Sequence, residues 1–188
     1  MTSGRHSRRL TVLAVGAALV LAGCGPADDG AAPTGASSTK PSVASDAPTG
    51  YNPCTDIPQS VLDSENLRHK TNEDHNASGG IKWRGCGWVQ PDGYAPAITT
   101  TNITVDMVRD KKFPDTREYT INGRRAISTR QVEEHPDAVC TVNVEMKGGS
   151  LEFFLSNPPS NRKTGQLDTC QLAKTLAEKI VPTMPATA

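Results

Sequence analysis

The stretch Cys140-Thr141-Val142-Asn143-Val144-Glu145-Met146-Lys147-Gly148-Gly149-Ser150-Leu151-Glu152-Phe153-Phe154-Leu155 decides the fold. Cys140, Val142, Val144 and Met146 alternate with polar residues, and Leu151, Phe153 and Leu155 do the same beyond a glycine pair. A period of two is that of a strand with one face buried. Taking Lys147-Gly148-Gly149-Ser150 as the loop sets Met146 against Leu151, Val144 against Phe153 and Val142 against Leu155. All three pairs then fall on one side, so register and core face agree. This reading makes the hairpin the centre of an antiparallel sheet.

Working outward, Tyr119-Thr120-Ile121, Asn122-Gly123 and Arg124-Arg125-Ala126-Ile127 predict a second hairpin, because both turn residues tolerate positive φ. Thr101, Ile103, Val105 and Met107 alternate within Ala97–Val108 and predict a further strand. Trp83, Cys86, Trp88 and Val89 surround what reads as the first one, and the polar residues 68–80 read as a loop. Asp56 with Gln59 reads as a capping pair opening a short helix to about Leu67. Asp168 with Gln171 repeats that pattern before the stripe Leu172, Ala173, Leu176, Ala177, Ile180, ended by Pro182. The expected class is α+β: an antiparallel sheet of five to six strands, a short N-terminal helix, a C-terminal amphipathic helix and two disulfides.

The N-terminus speaks to location. Arg5, Arg8 and Arg9 precede an uncharged, mostly apolar run of 13 residues, Leu10 to Ala22. As a helix that run covers roughly 20 Å, against roughly 30 Å for a hydrocarbon core, so it suits a signal segment better than a spanning helix. It ends in Leu21-Ala22-Gly23-Cys24, which reads as a lipobox. On this reading residues 1–23 are a lipoprotein signal peptide and Cys24 becomes the acylated (palmitate-bearing) first residue. The protein is then expected on the extracytoplasmic face of the cell membrane, held by lipid. Arg8-Arg9 leaves both general and twin-arginine export open. From Gly25 to Gly50 the one large apolar residue is Val43, a composition expected to stay disordered. A coil of that length spans roughly 25–30 Å. The expected organisation is a signal at 1–23, lipidated cysteine and linker at 24–50, one domain at 51–182 and a tail at 183–188.

Whole-chain charge is balanced at 20 basic and 20 acidic side chains; without residues 1–23 the balance is 17 to 20. A mildly acidic chain lacks the basic footprint of a nucleic-acid binder, so no nucleic-acid partner is expected. Beyond Cys24, four cysteines remain, an even set suited to an oxidising compartment. They allow three pairings. Cys54–Cys86 with Cys140–Cys170 is favoured because each bridge then ties a helix end to a nearby strand. Zinc sites bring cysteines in close pairs, which these are not, so neither metal nor cofactor is expected.

Candidate chemistry is thin. His135 within Glu133-Glu134-His135-Pro136-Asp137 is a poor metal cluster, because consecutive residues cannot converge on one ion. His69 and His75 lie in the polar segment. No Gly-x-Ser-x-Gly or His-Glu-x-x-His is present, and no catalytic residue is assigned. Trp83 and Trp88 are candidates for stacking on a ligand, with Trp88 beside Cys86 more readily explained as core.

The lipobox, the low-complexity linker, Asn52-Pro53-Cys54 before a short helix, Cys86-Gly87-Trp88, Gly123-Arg124-Arg125-Ala126 and the late Asp168-Thr169-Cys170-Gln171-Leu172-Ala173 together resemble one family. It is a large group of actinobacterial lipoproteins known only as a domain of unknown function. The resemblance spans nearly all of residues 51–182. It implies cell-envelope placement and the same cysteine pairing, and it supplies no catalytic residues. Three function classes follow: a tethered binding or accessory module for another envelope protein, a carrier of a small or lipid ligand, and an enzyme. The first is preferred.

Overall fold

The computed structural model describes residues 42–188; the signal, Cys24 and most of the linker lie outside them. The elements run α1 (Pro53–Asp56), α2 (Gln59–Ser64), β1 (Arg68–Asn72), β2 (His75–Asn76), β3 (Lys82–Val89) and β4 (Ala95–Thr101). There follow α3 (Val105–Asp110), β5 (Arg117–Ile121), β6 (Arg124–Thr129), β7 (Val139–Met146), β8 (Gly149–Ser156) and α4 (Thr169–Ile180). One eight-stranded sheet has the order β1-β3-β4-β8-β7-β6-β5, with β2 paired to β3. The described strand pairs are antiparallel. Among the described residues no helix is long and apolar enough to cross a membrane.

The central hairpin forms, with its apolar residues on one face, but its register differs from the expectation by two residues. Val144 pairs with Leu151, Val142 with Phe153 and Cys140 with Leu155. The loop is the two-residue Lys147-Gly148, with Gly148 at φ 86°; glycine supplies the left-handed conformation that the second turn position needs. Gly149 and Ser150 belong to β8 instead, because β4 lies alongside and Thr101 pairs with Ser150. A shift of two leaves every side chain on its original face, so the core face survives the change.

Three further expectations change. Two strands arise from residues 68–80, expected as a loop. β1 is an edge strand whose five residues are all exposed, so backbone pairing to β3 defines it and no apolar period marks it. A bulge between Arg68 and Thr71, with His69 at φ 55°, breaks its regularity. The strand expected through Val108 stops at Thr101: the Thr104 side chain accepts from Met107 N and opens α3. Val105 and Val108, three apart, then bury against Ile127 on the face opposite the main core. Capping and packing override the β-branched propensity of that run. Finally, Asn52 rather than Asp56 caps the first helix: its Oδ1 accepts from Cys54 N, and Asp56 reaches back to Asn52 N at 2.8 Å. Ile57 leaves the helical region as residues before proline do, and a separate α2 begins at Gln59.

α4 lies over the core face. Asp168 caps it by accepting from Gln171 N at 2.7 Å, and Ala173, Leu176, Ala177 and Ile180 are buried against Val142, Val144, Phe153 and their neighbours. Two disulfides hold helix to sheet, Cys54–Cys86 and Cys140–Cys170. In the chain-entropy model, loops of about 30 residues make each worth about 3–4 kcal/mol.

The packed chain extends past both expected domain limits. Ala47 is buried, Asn102 Nδ2 donates to Ala44 O, and Asp46 pairs with Lys82 at 3.5 Å. At the other end Met184 and Ala188 are buried, and Arg124 donates to the Ala188 and Pro185 carbonyls. A polar composition is enough for order where the sheet end supplies partners.

The revised turn can be tested at its glycines. A Cβ at Gly149 would run into the Thr101 carbonyl oxygen, whereas Gly148 has open space and only its positive φ to defend. Gly149→Ala should therefore cost about 2–3 kcal/mol through overpacking, and Gly148→Ala about 1–2 kcal/mol through left-handed strain. Urea unfolding of both variants checks the order; equal effects would restore the four-residue loop.

Candidate functional site

Alternation along the central strands turns a second set of side chains to the face opposite the main core. Across the sheet, Thr99, Glu152, Asn143 and Ile127 form one row, and Trp83, Thr101, Ser150 and Glu145 the next. Trp83 and Glu152 stand two strands apart, roughly 9–10 Å at ordinary strand spacing. They meet because the intervening β4 positions carry only threonines: Trp83 Nε1 donates to Glu152 Oε1 at 3.0 Å. On the other side Asn143 Nδ2 donates to Glu152 Oε2 and to Ser150 Oγ, each at 3.1 Å. Ser150 in turn donates to Ile103 O at 2.7 Å, which ties this network to the segment leading into α3.

Trp83 is backed by His75, its pairing partner on β2. The two rings stack at 4.4 Å between centroids and 10° between planes, and His75 Nδ1 lies 2.9 Å from Glu73 O. Trp83 and Glu152 keep part of their surface, and Phe154 is 37% exposed. Asn143 and Thr141 are buried, with Asn143 Oδ1 and Thr141 Oγ1 lacking a partner among the described residues. Burial dominates the carboxyl of Glu152 and holds it above the usual range, against the lowering effects of Asn143, Trp83 and His75.

The two tryptophans thus separate. Trp88 is buried beside Cys86 in the main core and reaches the wall of a cleft, while Trp83 stands partly exposed on the opposite face. His69 sits at the bulge of β1, and His135 at φ 57° in the connection to β7, so neither joins the His75–Trp83 pair. The four cysteines are taken up as Cys54–Cys86 and Cys140–Cys170. Among the described residues no group of three or more His, Cys, Asp and Glu stands together as a metal site. Cys24 lies outside the described residues.

Sequence reasoning missed Glu152 and Asn143, which alternation assigned to a solvated face. One signal was present: alongside Glu145 and Glu152, the outward positions of β7 and β8 include Thr141, Asn143 and Ser150, small uncharged groups, and the aromatic Phe154, fewer charges than a fully wet face carries.

Clefts lie elsewhere, two of them beside Cys54. One of about 440 Å³ runs between the Asp46–Thr49 segment and Asn72, Asp74 and Arg84. The other, about 470 Å³, runs along the first disulfide between Ile57, Leu62 and Leu67 on one side and His69 and Lys70 on the other.

The raised carboxyl has a consequence for stability. Glu152 binds its proton more readily folded than unfolded, so its favourable contribution is whole below the ordinary value of 4.5. That contribution is lost as pH rises through the higher folded value. Glu152→Gln stays neutral throughout and can pair with a flipped Asn143. Its thermal midpoint should therefore gain on the wild type between pH 4 and pH 7. A difference between the two proteins that is flat in pH would show that the carboxylate is not desolvated.

No curated protein and no solved structure matches the chain. The family model "Protein of unknown function (DUF3558)" matches residues 19–183, most of the chain and the whole of the sheet, and the protein belongs to that family.

Proposed function

We propose that this protein is a membrane-anchored lipoprotein whose domain works outside the cytoplasm by binding another component of the cell envelope. The observation that carries the address is Leu21-Ala22-Gly23-Cys24 directly behind a short apolar run and an arginine-rich start. The two disulfides support it, since such bonds persist in oxidising compartments. Acyl chains on Cys24 would hold the domain at the bilayer far more firmly than one marginal chain does. Residues 25–41 would then set its height, because the chain is packed on the sheet from about Ala44 onward.

A binding role fits the geometry of the open face. Its polar groups are locked to one another, Trp83 to Glu152 to Asn143 to Ser150, the arrangement of a preformed recognition surface. Tethering raises the effective concentration of such a surface for partners in the same membrane. The carrier reading ranks second. Phe153, Leu151, Leu155 and Ile98 fill the core at 0% exposure, leaving no cavity under the sheet at those positions, and the two clefts mix apolar with charged side chains at the surface.

Replacing Cys24 by Ser should release the protein from the membrane fraction and reduce in-cell cross-linking to envelope partners together with it. A Cys24→Ser protein that stays wholly in the membrane fraction defeats the anchor. Co-purification of a lipid with the domain would promote the carrier reading.

A further inference from the structure

The charges on the open face do not balance. Arg125 is committed to Asp106 and Glu145, at 2.8 and 2.7 Å, and Arg109 to Asp106 and, at 3.9 Å, Glu118. Nothing comparable serves Glu152. Both of its oxygens accept hydrogen bonds, from Trp83 and Asn143, but among the described residues no cation forms an ion pair with it, and the His75 ring stands behind Trp83. A second carboxylate, Glu73, lies over the same face: a Cβ added at Gly87 would come 2.7 Å from its Oε1. Its one described side-chain partner is the neutral Thr71 hydroxyl at 3.1 Å.

Unpaired acceptors gather at the same place. Asn143 Oδ1 and Thr141 Oγ1 are buried and have no partner among the described residues; Asn143 stands opposite Glu152 and Thr141 opposite Phe154, one step along the strand. A buried polar atom left unmatched is costly, and a desolvated carboxylate without a counter-charge is costlier. Aromatic surface borders the group on two sides, Trp83 with one face covered by His75 and Phe154 at 37% exposure. Two carboxylates, surplus acceptors and aromatic rings, with the neighbouring guanidiniums already spent, describe a complement to one chemistry.

We propose that the open face of the sheet is a recognition site for an organic cation, a protonated primary amine, with Glu152 as its counter-charge. This deepens the binding role above and rests on it. The ammonium sits against Glu152 and places N–H donors beside acceptors that lack them. Its carbon chain lies along Trp83 and Phe154, where cation–π attraction adds to apolar contact. Glu73 supplies longer-range attraction from the β1 side.

The test is an NMR titration of the full-length chain with n-butylammonium chloride, following the Trp83 indole N–H and the Asn143 side-chain amide. Sodium chloride at matched ionic strength and n-butanol, the uncharged counterpart, serve as controls. Saturable shifts with the ammonium alone are expected, weakened at least tenfold by Glu152→Gln and a few-fold by Glu73→Gln. The Trp88 indole, buried in the main core, reports that each variant is folded. The inference is overturned if the wild type shows no saturable shift, if n-butanol reproduces it, or if folded Glu152→Gln binds as well as the wild type. Membrane release by Cys24→Ser and partner cross-linking are read separately. A protein that keeps both while ignoring amines would lose this inference alone.

Discussion

Most of the central hairpin is removed from water on both faces, with Phe154 and parts of Glu145 and Glu152 left open, and much of the rest of the domain answers that constraint. Val142, Val144, Leu151, Phe153 and Leu155 on one side, and Thr141, Asn143 and Ser150 on the other, are all at 0–2% exposure. The apolar side needs a lid, which α4 supplies and Cys140–Cys170 fixes in place. The polar side needs partners, because a buried amide or hydroxyl is tolerable only when hydrogen-bonded. The Asn143–Ser150–Ile103 connection provides some of them, and α3 covers Ile127 beside it.

Arg130 shows how the same demand closes the far end of the sheet. It is 8% exposed, at the exit of β6, and its guanidinium reaches four places. It donates to Asp115, to the Pro136 and Val139 carbonyls, and to Asp168, the residue that caps α4. One cation thus fastens the turn before β5, the connection into β7 and the start of the covering helix. Breaking one partner would leave a charge with little water to turn to, which is far costlier than losing an exposed ion pair.

What the sequence made legible follows from where side chains meet apolar surroundings. The central strands and α4 bury an apolar stripe, so their periods show, and the exposed Asn122-Gly123 turn shows through residues that accept its positive φ. β1 has no such stripe; only its backbone meets the sheet, and polar Arg68–Asn72 looks like any loop. α3 was hidden for the opposite reason: Thr104, Val105 and Val108 favour strands intrinsically, and only the cap and the packing on Ile127 reverse that. The hairpin register was ambiguous by two residues, since period two cannot distinguish registers that keep the same face. The approach of β4, invisible locally, decides it. At the site, Trp83 was visible as a residue type, but Glu152 and Asn143 were not. Their interest comes from being desolvated together, and only strand order across β3, β4, β8 and β7 brings that about.

The two ends of the described chain meet at one end of the sheet. Pro48 approaches Gly149, and Gly50 approaches Ala188, while Arg124 holds the Ala188 and Pro185 carbonyls. Strand direction puts Thr101, Ser150 and Met146 at that end, and Val89, Ser156 and Arg130 at the other. Asn102 joins that end to the open face: its Nδ2 donates to Ala44 O while its Oδ1 accepts from Lys82 N, next to Trp83 on β3. One buried amide therefore holds both the incoming segment and the strand that carries the exposed indole, because each supplies a backbone group the other cannot satisfy.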